Sequence, residues 1–185
     1  MKTPFHTTDF RSQHYKKQLD MGIRFYMNDD AVFHVRNIVK DDIKKISDIE
    51  QAIFSDPWTE PIFKAYLEDN FYFLALAGVF KGELVAYSFC RLILDELHLD
   101  NIAVENQFRR RGLGNIMVWI LLKIASLQEI KYVHLEVRKS NRAAISLYEK
   151  YGFKKVGIRP QYYADNNEDA LLMTKQLSKK RSFYI

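Results

Sequence analysis

Asn101-Ile102-Ala103-Val104-Glu105-Asn106-Gln107-Phe108-Arg109-Arg110-Arg111-Gly112-Leu113-Gly114-Asn115 is the stretch that decides how this chain is read. An apolar strand pattern ends at Val104, a polar loop follows, and two glycines open a long helix over about residues 112–128. Leu113, Ile116, Met117, Ile120, Leu121 and Ile124 form the core face of that helix. A helix start leaves several backbone N–H groups without intrahelical acceptors, and the helix dipole adds positive potential there. Glycine lets a bulky anion approach the main chain closely. Strand, loop, glycines and helix together predict a pyrophosphate cradle beside Arg109, Arg110 and Arg111. A P-loop would need Gly-Lys-Ser/Thr, and a dinucleotide fingerprint would need a third glycine near Met117; the stretch has neither. A plain tight turn is the competing reading of Gly112 and Gly114, and the flanking strand, arginines and apolar helix weigh against it.

Moving outward, residues 96–104 and 132–138 read as strands on either side of that helix, and such a strand-helix-strand unit is expected to be parallel. Upstream, residues 71–80 and 84–94 are apolar and aromatic, joined by the tight connection Lys81-Gly82-Glu83, and residues 32–38 alternate as a strand. These should form an antiparallel meander. Asp41 and Asp42 can cap a helix with the stripe Ile43, Ile46, Ile49 and Ile53; Phe54-Ser55-Asp56-Pro57-Trp58 breaks it, and Thr59 caps a second one carrying Phe63, Tyr66 and Leu67. Downstream, residues 141–151 read as a helix stopped by Gly152, and 153–158 and 170–176 as closing strands. The expected architecture is α/β (α+β): a mixed central sheet of about seven strands flanked by about four helices. Residues 1–31 read as an N-terminal extension, with a helix over 8–21 ending at Gly22 and an edge strand over 23–27. Residues 32–178 form the main domain and 179–185 a basic tail.

Composition sets the outer limits. A chain of 185 residues, 48% hydrophobic and 14% aromatic, fits one domain with a sizeable core. No apolar run approaches the roughly 20 residues of a membrane-spanning helix, and no secretory signal is read at the N-terminus. The lone Cys90 sits in a strand pattern, as a small buried core residue would, and fits a reducing cytoplasm. A net charge of +5 is modest, and its basic residues are spread without an interleaved aromatic stripe, so direct nucleic-acid binding is not expected. His6, His14, His34, His98 and His134 show no metal-ligand spacing, so no metal is expected.

The signature Arg/Gln-x-x-Gly-x-Gly/Ala of the GNAT acetyltransferase superfamily is met by Arg109, Gly112 and Gly114. The chain further resembles the ribosomal-protein alanine N-acetyltransferases over about residues 33–177. The likeness rests on Phe54-Ser55-Asp56-Pro57-Trp58, Leu94-Asp95-Glu96, Asn101-Ile102-Ala103-Val104, Leu135-Glu136-Val137-Arg138-Lys139-Ser140-Asn141, Ala144-Ile145-Ser146-Leu147-Tyr148-Glu149, Tyr151-Gly152-Phe153, and Tyr162-Tyr163 followed by Glu168-Asp169-Ala170. That family lacks an equivalent of residues 1–31, and Asn115 stands where a basic or small residue is common. The resemblance implies a GNAT fold and acetyl-CoA as co-substrate, held by Ile102, Ala103, Val104, the turn Arg109, Arg110, Arg111, Gly112, Leu113, Gly114 and Asn115, and Asn141. It assigns general base to Glu136 and general acid to Tyr148. Trp58, Glu96, Tyr162 and Tyr163 become substrate contacts, and the partner a protein N-terminus, ribosomal in the first instance.

Read without the family, these residues have plainer uses. Glu136 alternates with core residues as a solvated strand charge would, Asn141 is a good helix cap, and Tyr148 shares its stripe with Ala144 and Ile145. Trp58 serves equally as core plug or substrate contact, and Asp95 and Glu96 equally as a charged turn or as attractors of a cationic peptide. Residues 54–59 and Tyr162-Tyr163 read as two aromatic loops with the substrate between them. An amide near Val104 could polarise the thioester carbonyl if a bulge distorts that strand. Acetylation of lysine side chains or small amines, a non-catalytic acetyl-CoA sensor and an RNA-binding module are the rival functions.

Overall fold

A computed structural model describes residues 19–27, 31–68 and 73–177. Eight strands form one sheet: β1 (Ile23–Tyr26), β2 (Val32–Asn37), β3 (Phe73–Phe80), β4 (Glu83–Ile93), β5 (Glu96–Val104), β6 (Tyr132–Arg138), β7 (Lys154–Tyr163) and β8 (Glu168–Gln176). Their order is β1-β2-β3-β4-β5-β6-β8-β7. Only β5 and β6 run parallel; every other neighbouring pair is antiparallel. The meander and the parallel unit therefore form as the sequence predicts. Four α-helices lie among the described residues: α1 (Ile43–Ile53), α2 (Glu60–Glu68), α3 (Leu113–Leu127) and α4 (Arg142–Lys150).

The eighth strand is β1, the edge strand expected at residues 23–27, and it joins the same sheet as the rest through β2. Residues 19–21 are helical and stop at Gly22, whose φ is 81°; the remainder of the helix expected over 8–21 lies outside the described residues, as does the tail 179–185. The closing hairpin is longer than the sequence reading, because β7 continues from residue 158 to Tyr163. Pro160 and the left-handed Gln161 (φ 51°) make that stretch look like a loop, yet a register shift absorbs them and pairing resumes at Tyr163↔Glu168.

Helices α3 and α4 cover one face of the sheet and α1 and α2 the other. The first face packs Leu113, Ile116, Met117 and Ile120 on Phe25, Phe33, Leu76 and Phe80, and continues as Leu97, Leu99, Val133, Leu135, Ile145 and Tyr148. The second packs Ile43, Ile46 and Ile49 with Phe63 on Tyr87, Phe89 and Ala103. Each fully buried large apolar side chain contributes about 1.5–3 kcal/mol of transfer free energy. Cys90 is among the buried core residues, as expected.

Two irregularities shape the middle of the sheet. Phe89 pairs with Asn101 but Cys90 pairs with Leu99, so Asp100 is an extra residue in β5. The bulge reverses the strand's alternation: Leu97 and Leu99 before it, and Ile102 and Val104 after it, all face the α3 side. Further, β5 and β6 share only the rungs from Glu96↔Tyr132 to Leu99↔Leu135, although β5 runs on to Val104 and β6 to Arg138. Beyond Leu99 the two strands part, leaving a notch inside the sheet.

Candidate active site

The notch is lined first by main chain. Glu105 N–H donates to Val85 O, which fixes the phase of the β4–β5 ladder. By antiparallel alternation, Ala103 and Asn101 bond toward β4, while Ile102 and Val104 direct their N–H and C=O groups toward β6, into the notch. Val104 O accepts from Arg109 Nε at 3.1 Å; its N–H faces the notch. The distortion expected near Val104 is thus present, centred on Asp100.

The turn beyond Val104 has the features of an anion cradle. Gly112 takes φ 84° at the N-cap of α3, and the first helical bond is Ile116 N–H to Gly112 O. Among the described residues, the amides of Arg110, Arg111, Gly112, Leu113, Gly114 and Asn115 meet no acceptor. A methyl group on Gly112 would meet nothing within 4 Å, and one on Gly114 would stand 3.5 Å from Leu147 and 3.8 Å from Val104. Room over Gly112 and a close-fitting seat at Gly114 suit a phosphate group. The side chains here are turned elsewhere. Arg111 lies over the Phe80 ring at 5.7 Å, and Asn115 Oδ1 accepts from Lys150 at 2.6 Å.

Glu136 stands on β6 one residue past the last shared rung, so it lines the notch. Both its oxygens are engaged: Tyr162 O–H donates at 2.9 Å and Arg159 at 3.0 Å. Tyr148 projects from α4 into the core beside Phe153, at 5.7 Å and edge-on. Burial, with Tyr163 adding to it, raises the Tyr148 pKa far above neutral, so the hydroxyl keeps its proton. Asn141 acts as the N-cap of α4, its Oδ1 accepting from Ala144 N–H at 3.1 Å.

On the substrate side, residues 54–59 form a loop, but Tyr162 and Tyr163 do not: they end β7, which corrects the two-loop picture. The two segments touch. Ser55 Oγ donates to Asp165, and Arg138 donates to Asp165 at 2.9 Å and to Asn166 at 3.1 Å, with its guanidinium 3.9 Å over the Tyr163 ring. Burial opposes the charge of Arg138, but the bonds to Asp165 and Glu168 outweigh it and raise its pKa. Tyr163 is pushed up to about 12, mainly by burial. Trp58 is half-buried against Phe63, Tyr66 and Phe89, with centroids 5.4–6.2 Å away, so it fills core space at the rim. Glu96 lies apart from this group, at the far end of β5, roughly 13 Å of strand below the level of Glu136.

One residue absent from the sequence reading organises this side. Glu50 of α1 is buried, and its carboxylate accepts from Trp58 N–H (3.0 Å), Asn101 Nδ2 (3.0 Å) and Tyr87 O–H. It ties the rim loop to the strand just past the bulge. Its only sequence signal is a position beside the stripe of α1, where glutamate normally reads as exposed.

The residues 43–153 match the acetyltransferase (GNAT) family. The chain is 37% identical over 132 residues, covering 70% of it and 88% of the relative, to the [ribosomal protein bS18]-alanine N-acetyltransferase of Salmonella typhimurium. It is 32% identical over 158 residues, 78% of it and 93% of the relative, to an N-alpha-acetyltransferase of Sulfurisphaera tokodaii. Its structure superposes on the crystal structure of the ribosomal-protein-S18-alanine N-acetyltransferase from Escherichia coli with a TM-score of 0.73 at 30% identity, over 82% of this chain and 99% of that one.

Proposed function

The chain belongs to the GNAT family of acetyltransferases and is an acyltransferase; on that premise we propose that it moves the acetyl group of acetyl-CoA to the α-amine of a protein N-terminus, an N-terminal alanine of a small-subunit ribosomal protein. The observation that supports this reading is Glu136, one residue past the last rung shared by β5 and β6, at the mouth of the notch whose other edge runs on to Val104. An α-amine has a pKa near 8 and is mostly protonated at neutral pH, so transfer needs a base beside it. Glu136 takes that proton, directly or through one water. Tyr148, held protonated by burial, supplies a proton to the departing sulfur.

Acetyl-CoA, when bound, supplies the activated thioester. The free amides of Arg110–Asn115 grip its pyrophosphate, with Arg109 and Arg111 adding positive potential. Ile102, Ala103 and Val104 provide the notch wall, and the Val104 amide donates toward the acyl oxygen. Asn141 caps α4, the helix that carries Tyr148. Trp58, Tyr162 and Tyr163 flank the entering peptide.

Mass spectrometry of a reaction containing an Ala-Arg-initiated peptide, an N-terminally blocked lysine peptide and a polyamine tests this directly. Acetate is expected on the free α-amine. Acetate only on ε-amines or polyamine overturns the reading in favour of a side-chain or small-amine acetyltransferase.

A further inference from the structure

The parallel register of β5 and β6 produces a second cluster that chain spacing hides. His98 pairs with His134 across the strands, although 36 positions separate them in the chain. Their rings stack with centroids 5.0 Å apart and 28° between planes. Glu96 lies two rungs below, on the same face, and its Oε2 is 3.4 Å from His98 Nε2 and 3.3 Å from His134 Nε2. One donor atom from each of the three residues falls within 4.8 Å of the others. All three side chains are partly open to solvent, on the face opposite the α3 core.

We infer that Glu96, His98 and His134 form a binding site for a divalent first-row transition ion, with zinc the closest chemical match. Two imidazoles and a carboxylate are the donor set of three-ligand zinc sites, whose remaining positions belong to water. The two carboxylate–imidazole distances, 3.4 and 3.3 Å, are ones that a single ion about 2.0–2.1 Å from each donor can bridge. The second observation lies at His134. Its Nδ1 is 2.9 Å from Thr174 Oγ1, and its Nε2 is buried with no hydrogen-bond partner despite the nearby carboxylate. In the tautomer whose Nδ1–H donates to Thr174, the Nε2 lone pair is turned toward Glu96, which is the form able to ligate a cation between them. The adjacent cation, Arg91 on β4, is drawn away by its two bonds to Asp100 at 2.8 and 2.6 Å.

The site sits on the last-but-one rung below the parting of β5 and β6, so an ion there fastens the two strands beneath the notch. This departs from the expectation of no metal, which rested on spacing along the chain alone.

The test is binding, not turnover, so its failure leaves the acyl-transfer reading untouched. Chelator-treated full-length protein is titrated with zinc chloride by calorimetry and with cobalt chloride by visible absorption. One ion per chain is expected, with the d–d bands of a four-coordinate cobalt and a melting temperature that rises with zinc. His134→Ala and Glu96→Gln should each abolish the bands, and Thr174→Val should weaken zinc binding about 10–100-fold. His6→Asn with His14→Asn should change nothing. A silent titration, bands that survive Glu96→Gln, or bands lost with His6 and His14 overturn the site. Circular dichroism checks each fold; were His134→Ala to unfold, Glu96→Gln on the half-exposed carboxylate decides by itself.

Discussion

The two walls of the notch are built in opposite ways. The turn wall, Arg109 to Asn115, is continuous in sequence and offers main-chain amides; its arginine and asparagine side chains largely engage the protein itself. The opposite side is built of side chains from distant segments in three separate bonded groups: Glu50 of α1 with Trp58 N–H, Asn101 and Tyr87; Ser55 with Asp165 and Arg138; and Glu136 with Tyr162 and Arg159. A wall of backbone is sensitive to conformation and to added atoms. A wall of side chains is sensitive to the loss of single functional groups.

The contrast can be broken in four places. Glu136→Gln keeps the shape of that side and removes the proposed base; kcat should fall about 10²–10⁴-fold while the calorimetric affinity for coenzyme A stays unchanged. An unchanged kcat would remove Glu136 from the chemistry. Glu50→Ala leaves Tyr87 O–H, Asn101 Nδ2 and Trp58 N–H without their acceptor and should cost on the order of 3–5 kcal/mol in urea unfolding. On the turn wall, Gly112→Ala meets open space but forces a side chain into φ 84°, costing about 1–2 kcal/mol with a matching loss of coenzyme A affinity. Gly114→Ala makes only ordinary contacts, so its effect on stability should stay within about 0.5 kcal/mol. If Gly114→Ala proves the more damaging of the two glycine changes, the cradle depends on close approach and not on the left-handed turn.

The same division explains what could be read from the sequence. The turn wall was legible because its signal is local: a strand end, two glycines and the apolar period of Leu113 to Ile124 are contiguous and have one physical meaning. Glu136 and Tyr148 are singled out by family likeness alone; period reads them as a surface charge and a packed ring. Glu50 was missed because a buried carboxylate looks like any polar residue until its three donors are folded around it. The length of β7 was missed because Pro160 and a left-handed Gln161 imitate a loop. The phase change at Asp100 and the pairing of His98 with His134 are matters of register, which no local pattern encodes.

That extra residue at Asp100 makes the rim of the cleft unusually durable. Side chains along Ile102 to Val104 can be exchanged for others of similar bulk, since the groups presented across the gap belong to every amino acid except proline. Excising one position is a different matter. It would rotate the following four residues by half a turn, sending Ile102 and Val104 away from α3 and turning Asn101 from its bond with Glu50 toward the apolar α3 side. The inheritance most worth preserving here is therefore a count, not a residue.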